Sequence, residues 1–139
     1  MERITPNIIK RLEDNQVFVF GANVQGRHGK GAALVARTKF GAIYGQSKGL
    51  QGQSYAIVTK ELRKDYDPVT LDEIKQGIDN FIIFAKENTH LTFYVVELGC
   101  NLAYFTVEEI APLFKPAMRL KNVYLPQRCI DNLQTGFTI

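Results

Sequence analysis

Apolar positions in this chain alternate between two patterns, short unbroken runs and helical spacing. Val17-Phe18-Val19-Phe20 is a β-branched and aromatic run ended by Gly21, the pattern of a strand buried on both faces. Ahead of it, Thr5-Pro6 followed by Asn7 to Leu12 predicts a short helix with Thr5 as N-cap and proline at the first helical position. Ala32 to Arg37 predicts a small-residue helix, which Phe40-Gly41 ends. Gly45, Gly49 and Gly52 mark an irregular stretch before a strand over Ser54–Thr59. A charged loop from Lys60 to Thr70 turns at Asp67-Pro68. Thr70 and Glu73 then form a capping box, and Leu71, Ile74, Ile78, Phe81, Ile82 and Ala85 recur at helical spacing. Leu91 to Leu98 predicts the next buried strand, closed by Gly99-Cys100-Asn101. Thr106, with Glu108 and Glu109 in the first turn, opens a helix to about Phe114, and Lys121 to Pro126 predicts a last short strand. No element is legible in 127–139, although the apolar Phe137 and Ile139 suit covering a neighbouring copy or the chain's own core. Strands alternating with helices predict an α/β fold: a single three-layer domain over 1–139, with a mostly parallel central sheet and helices on both faces.

Composition changes this picture little. The 139 residues, 45% apolar and 22% charged, suit one globular domain and exclude a disordered chain, a collagen-like repeat and a coiled coil. Uncharged stretches such as Gln16–Gly26 are broken by Gly and Asn and fall well short of the ~20 apolar residues of a membrane span. Met1-Glu2-Arg3 leads into polar sequence, so no signal peptide and no membrane partner are expected. Two cysteines, Cys100 and Cys129, make a poor disulfide framework, and a cytoplasmic location with reduced thiols is expected.

Charge distribution says more than the net charge of +3. From Gln16 to Lys60 there is no Asp or Glu, while Arg27, Lys30, Arg37, Lys39, Lys48 and Lys60 are basic. The remaining residues hold 11 basic and 14 acidic side chains, so the positive excess lies wholly in that segment. Such a segment attracts anions.

Ligands of open α/β sheets bind at the carboxyl ends of the strands. The first strand ends in Gly21-Ala22-Asn23, with Gly26, Gly29 and Gly31 behind it and a helix after them. Glycines let backbone amides approach a phosphate, a helix N-terminus adds a favourable dipole, and Arg27 and Lys30 add charge. Asn23 is placed to hydrogen-bond a ribose hydroxyl. The loop lacks the Gly-Lys-Ser/Thr of a P-loop, and no acid follows it as a dinucleotide fingerprint requires. Lys60, just past the second strand, suits a phosphate contact or a nucleophile, although a solvated lysine is the commoner case. Gly99 to Ala103 suits a second anion-binding loop, with Tyr104 or Phe105 stacking on a base or ribose. Cys100 reads first as a small buried residue beside a turn. His28 has no partner at triad or metal-ligand spacing and reads as a phosphate or solvent contact. No metal and no cofactor are expected.

These motifs, in this order, resemble a macrodomain. They are Val17 to Asn23, Gly26-Arg27-His28-Gly29-Lys30-Gly31-Ala32-Ala33, Ser54 to Lys60, and Glu97 to Ala103. The chain is most similar to the compact macrodomains of the terminal ADP-ribose protein glycohydrolase type, over about 17–125. The resemblance implies binding of ADP-ribose or a related NAD-derived nucleotide. Gly21, Asn23, Gly26, Arg27, Gly29, Lys30, Gly31 and Ala32 would line one side, and Gly99, Cys100, Asn101, Leu102, Ala103 and Tyr104 the other. It further implies ADP-ribosyl hydrolase activity with Lys60 as nucleophile. Ala103 stands where the family carries the resolving acid, and Asn101 stands where it usually carries Gly. Losing a general acid/base costs about 10²–10⁴ in rate, so binding without turnover fits the residues better than hydrolysis. The adenine-holding acid of many macrodomains has only Asp14 as a nearby counterpart.

Three other readings compete. The first is a nucleic-acid-binding module using the basic segment 16–60, but the segment interleaves glycines and small residues where single-strand binders carry exposed aromatics. A nucleotide phosphoribohydrolase of the lysine-decarboxylase-like type needs a Gly-Gly-x-Gly-Thr motif and an Arg/Glu pair, which the chain lacks. In the third, the glycines serve turns only. The sequence fixes neither the ligand within its class nor the oligomeric state.

Overall fold

The computed structural model describes residues 3–98 and 105–135. Among these, β1 (Gln16–Asn23), β2 (Gly49–Gln51), β3 (Ser54–Lys60), β4 (Thr92–Val95) and β5 (Val123–Tyr124) form one sheet in the order β2-β3-β1-β4-β5. β1 runs parallel to both β3 and β4, β5 is parallel to β4, and β2 is an antiparallel edge. The helices are α1 (Gly31–Lys39), α2 (Leu71–Glu87), α3 (Val107–Ile110) and α4 (Gln127–Thr135), and a 3₁₀ helix spans Ala111–Arg119.

β1 lies at the centre because its side chains are apolar on both faces. Val17 and Val19 join a core with Ile57, Phe93 and Val95 that α2 covers with Ile74, Ile78, Phe81, Ile82 and Ala85. Phe18, Phe20 and Ala22 face the other way, onto Ala36 of α1, Phe40 and Ala56. Phe81 meets Phe93 edge-on, with ring centres 5.3 Å apart, a favoured geometry for aromatic pairs. The capping box of α2 is present: Glu73 N–H donates to Thr70 Oγ1 at 3.1 Å, and Thr70 N–H donates to Glu73 Oε1 at 3.0 Å.

Several expectations are corrected. Residues 7–12 form no helix. The N-cap candidate Thr5 is spent otherwise: its N–H donates to the Leu125 carbonyl and its hydroxyl to the Val95 carbonyl, both at 2.8 Å, tying the N-terminal segment to the sheet. Ile9 and Leu12 pack from that segment onto the α1-side core. The edge strand β2 and helix α4 lie in stretches for which the sequence offered no element. α3 is a single turn that continues as a 3₁₀ helix to Arg119, because Pro112 and Pro116 supply no backbone N–H and crowd the preceding turn. β4 stops at Val95, short of Leu98.

Phe93 is completely buried between Phe81 and Phe84. Phe93→Ala is expected to cost about 3–5 kcal/mol of folding free energy. Chemical denaturation measures this, and a loss under 1 kcal/mol would contradict the packing described.

Candidate functional site

The carboxyl ends of β1 and β3 meet at one rim, and a register irregularity shapes it. Pairing runs from Phe18↔Ser54 to Ala22↔Val58, then skips to Asn23↔Lys60, leaving Thr59 as the extra residue of a bulge. Bulges re-aim side chains, and this one sets Lys60 opposite Asn23. The Lys60 carbonyl accepts from Val24 N–H at 2.8 Å, which fixes that pairing.

From Asn23 the chain turns back on itself. Asn23 Nδ2 donates to the Arg27 carbonyl at 2.7 Å, and Arg27 N–H donates to Asn23 Oδ1 at 2.8 Å. The asparagine expected to contact a ribose therefore also closes its own loop, and each of its polar atoms keeps capacity for one further bond. Behind this ring the glycines differ in what they do. Gly21 lies within β1, where a Cβ would stand 3.0 Å from Thr59 Oγ1. Gly26, at φ +68°, is buried: a Cβ there would come within 2.5 Å of the Gly45 carbonyl carbon, and Gly45 N–H donates to the Gly26 carbonyl at 2.9 Å. These two glycines serve close packing. Gly29 has open space around it, and Gly31 (φ +62°) begins α1.

The start of α1 is unusually bare. Its N-cap is Lys30, with no side-chain cap bond, and its first turn carries no acid. The N–H groups of Gly31, Ala32 and Ala33 precede the first intrahelical bond, so they face outward unpaired by the helix. Arg27, Gly29, Lys30 and Gly31 are exposed, and Ala32 is half-buried. The result is an exposed helix start whose backbone donors lie in a segment with two basic side chains, Arg27 and Lys30, and no acid.

His28 corrects an expectation. It is completely buried, not a phosphate or solvent contact, and it meets Phe20 edge-on with ring centres 5.4 Å apart. Its Nε2 lies 3.0 Å from the Ile43 carbonyl, which can only accept, so Nε2 carries the proton. Nδ1 is buried and has no hydrogen-bond partner among the described residues. The imidazole pins the glycine-rich loop to the core and to the 42–46 loop.

A network missing from the sequence reading braces the same rim. The Glu61 side chain, 5% exposed, accepts from Arg63 Nε at 2.6 Å, from Gln25 Nε2 at 2.7 Å and from Arg63 N–H at 3.0 Å. Leu62 N–H donates to Gln25 Oε1 at 3.3 Å, and the Arg63 guanidinium lies 3.4 Å over the Tyr66 ring centre. The loops after β1 and β3 are thus sewn together beside Asn23 and Lys60. Its one sequence signal is Glu61 two residues before Arg63, at the end of a strand.

The facing loop candidates Gly99, Cys100, Asn101, Leu102, Ala103 and Tyr104 lie outside the described residues. Phe105, offered as a stacking ring, packs against the α2-side core. Glu97 pairs with Arg128 at 3.4 Å. Among the described residues, no group of three His, Cys, Asp or Glu could hold a metal, and no helix is long and apolar enough to cross a membrane.

The hydrogen bonds from Arg63, reinforced by Gln25, hold the Glu61 carboxyl down from 4.5 to about 2. A carboxylate favoured in the folded state contributes stability above its unfolded pKa and loses it as pH falls through the folded one. The melting-temperature advantage of the native protein over Glu61→Gln is therefore expected to shrink between pH 4.5 and about 2. An advantage unchanged across that window would mean that the network does not depend on the charge.

No family model and no curated protein matches the sequence. Among solved structures, a protein of unknown function from Bacteroides thetaiotaomicron matches with a TM-score of 0.58 and 17% identity, covering 84% of this chain and 88% of that one. A macrodomain protein from Streptomyces coelicolor matches with a TM-score of 0.57 and 15% identity, covering 86% of this chain and 92% of that one. At such identities the likeness is one of architecture, and the fold of this chain is macrodomain-like.

Proposed function

We propose that the protein binds ADP-ribose or a related NAD-derived nucleotide at the carboxyl ends of β1 and β3. The observation that carries this reading is the uncapped, acid-free start of α1, where Gly31, Ala32 and Ala33 present backbone donors in a segment that also carries Arg27 and Lys30. A diphosphate is the anion best suited to several convergent N–H groups at a helix N-terminus. Asn23, with one acceptor and one donor position to spare, stands where a ribose attached to that diphosphate could be read. The macrodomain protein from Streptomyces coelicolor supports the reading at the level of fold.

Gly99 to Tyr104, outside the described residues, belong to this site only as the macrodomain resemblance implies, along the other side of the ligand. Lys60, half-buried and opposite Asn23, is the nucleophile if the glycosidic bond is cleaved. Ala103 offers no acid, and Glu61 is a poor replacement, because a carboxyl held at about 2 is too weak a base near neutrality. Glu97 is engaged by Arg128. Binding with little or no turnover is therefore the form proposed.

Calorimetric titration with ADP-ribose is expected to give a dissociation constant of about micromolar order, near −8 kcal/mol. AMP, NAD and a short RNA serve as controls at two salt concentrations. Gly31→Glu, which adds a negative charge at the helix start and a side chain at φ +62°, is expected to abolish binding. Asn23→Ala is expected to weaken it at least about tenfold. Steeply salt-dependent binding of RNA alone would refute the reading and favour a nucleic-acid module. Any slow release of ADP-ribose from a modified protein should vanish in Lys60→Ala, and release that survives unchanged would remove Lys60 from the chemistry.

A further inference from the structure

A recess lies at the outer edge of the sheet, on the α2 side, and reaches Val24 just past the end of β1. β3 runs to Lys60, but β2 pairs with it only from Ser54 to Ala56. The pairing stops at Gly49, whose φ of +84° turns the incoming chain off the sheet. The Gln53 carbonyl accepts from Phe18 N–H on β1. Backbone direction alternates along a strand, so Ser54, Ala56 and Val58 turn their N–H and C=O outward. Ser54 and Ala56 meet β2, whereas the outward N–H and C=O of Val58 meet no strand among the described residues.

Beside Val58 is a recess of about 390 Å³, in the size range of binding pockets, about 300–1,000 Å³. Its floor is apolar, formed by Ile57, Val58 and Val69, and Gly77 and Asn80 of α2 form one wall. Gly77 lets α2 sit close here, since a Cβ would lie 3.2 Å from Ile57 Cγ2. Two charged side chains line it. Glu73 is committed to the α2 cap through Thr70, whereas Lys48 is exposed and has no ion pair among the described residues. The recess therefore combines a bare strand edge, an apolar floor, the carboxylate of Glu73 held at the α2 cap, and Lys48, a cation with no ion pair among the described residues.

We infer that this edge takes an extended peptide segment of a partner protein, added antiparallel to β3 in line with β2. Val58 supplies a donor and an acceptor to its backbone, an apolar side chain of the peptide enters over Ile57 and Gly77, and an acidic side chain meets Lys48. Strand addition draws affinity from main-chain bonds and specificity from pockets for alternate side chains, and these are the features gathered here. The inference does not rest on the nucleotide reading.

The test is fluorescence anisotropy with a labelled acetyl-Val-Asp-Val-Thr-Val amide, titrated with protein to about 1 mM, the weak limit of specific binding. Saturable binding is expected, together with slowed hydrogen exchange at Val58, and saturating ADP-ribose should leave it unchanged. The surface substitution Lys48→Glu should weaken binding about tenfold and restore it for the peptide with Lys in place of Asp, a charge exchange that general destabilisation cannot mimic. Val58→Pro, which removes the outward N–H where an edge tolerates proline, should abolish binding. Absence of saturation, binding indifferent to Lys48→Glu, or equal competition by free acetate would overturn the inference, the last reassigning the recess to small anions.

Discussion

β1 is hydrogen-bonded to a parallel strand on each side and buried on each face, and the rim is arranged by that constraint. A strand so held cannot slip: a shift of one residue would exchange Val17 and Val19 with Phe18 and Phe20 between two differently shaped cores. Its carboxyl end is therefore a fixed point. Asn23, Lys60 opposite it, the ring that Asn23 closes with Arg27, and the start of α1 all take their positions from there.

Around that point the protein spends polar groups on rigidity. His28 is buried to hold the glycine-rich loop against Phe20 and Ile43. Gly26 brings its loop so close to the backbone of Gly45 and Gln46 that a Cβ at position 26 would not fit. Gln25, Glu61 and Arg63 join the loops after β1 and β3. Backbone donors held this way are preorganised, so an anion meeting them orders little that was not already ordered. This separates the loop from one whose glycines serve turns only: the packing glycines Gly21 and Gly26 are half-buried and buried, while Gly29, Lys30 and Gly31 stay exposed.

Much of this was legible in the sequence where a local pattern is sufficient. The run from Val17 to Phe20, the Thr70–Glu73 box and the spacing from Leu71 to Ala85 each specify an element from within, and the structure contains them. What was illegible depends on distant partners. Thr5 has the form of an N-cap, yet its hydroxyl finds the Val95 carbonyl, 90 residues away. β2 is three residues long and gains its strand character from β3. His28 reads as a surface residue among glycines and basic side chains, because only the folded 42–46 loop shows that it is covered. The Glu61 network has no periodic signature, since its members come from two loops that the sheet brings together.

The central claim is that the bare start of α1 is an anion-binding surface for a nucleotide diphosphate. Amide chemical-shift mapping on isotopically labelled protein, titrated with ADP-ribose, tests it most directly. The account predicts that the backbone amides of Gly29 through Ala33 shift first and furthest, with Asn23 and Lys60 following. Shifts confined to the outer edge near Lys48 and Val58, or spread over the exposed basic residues Arg37 and Lys39 without the loop amides, would contradict it.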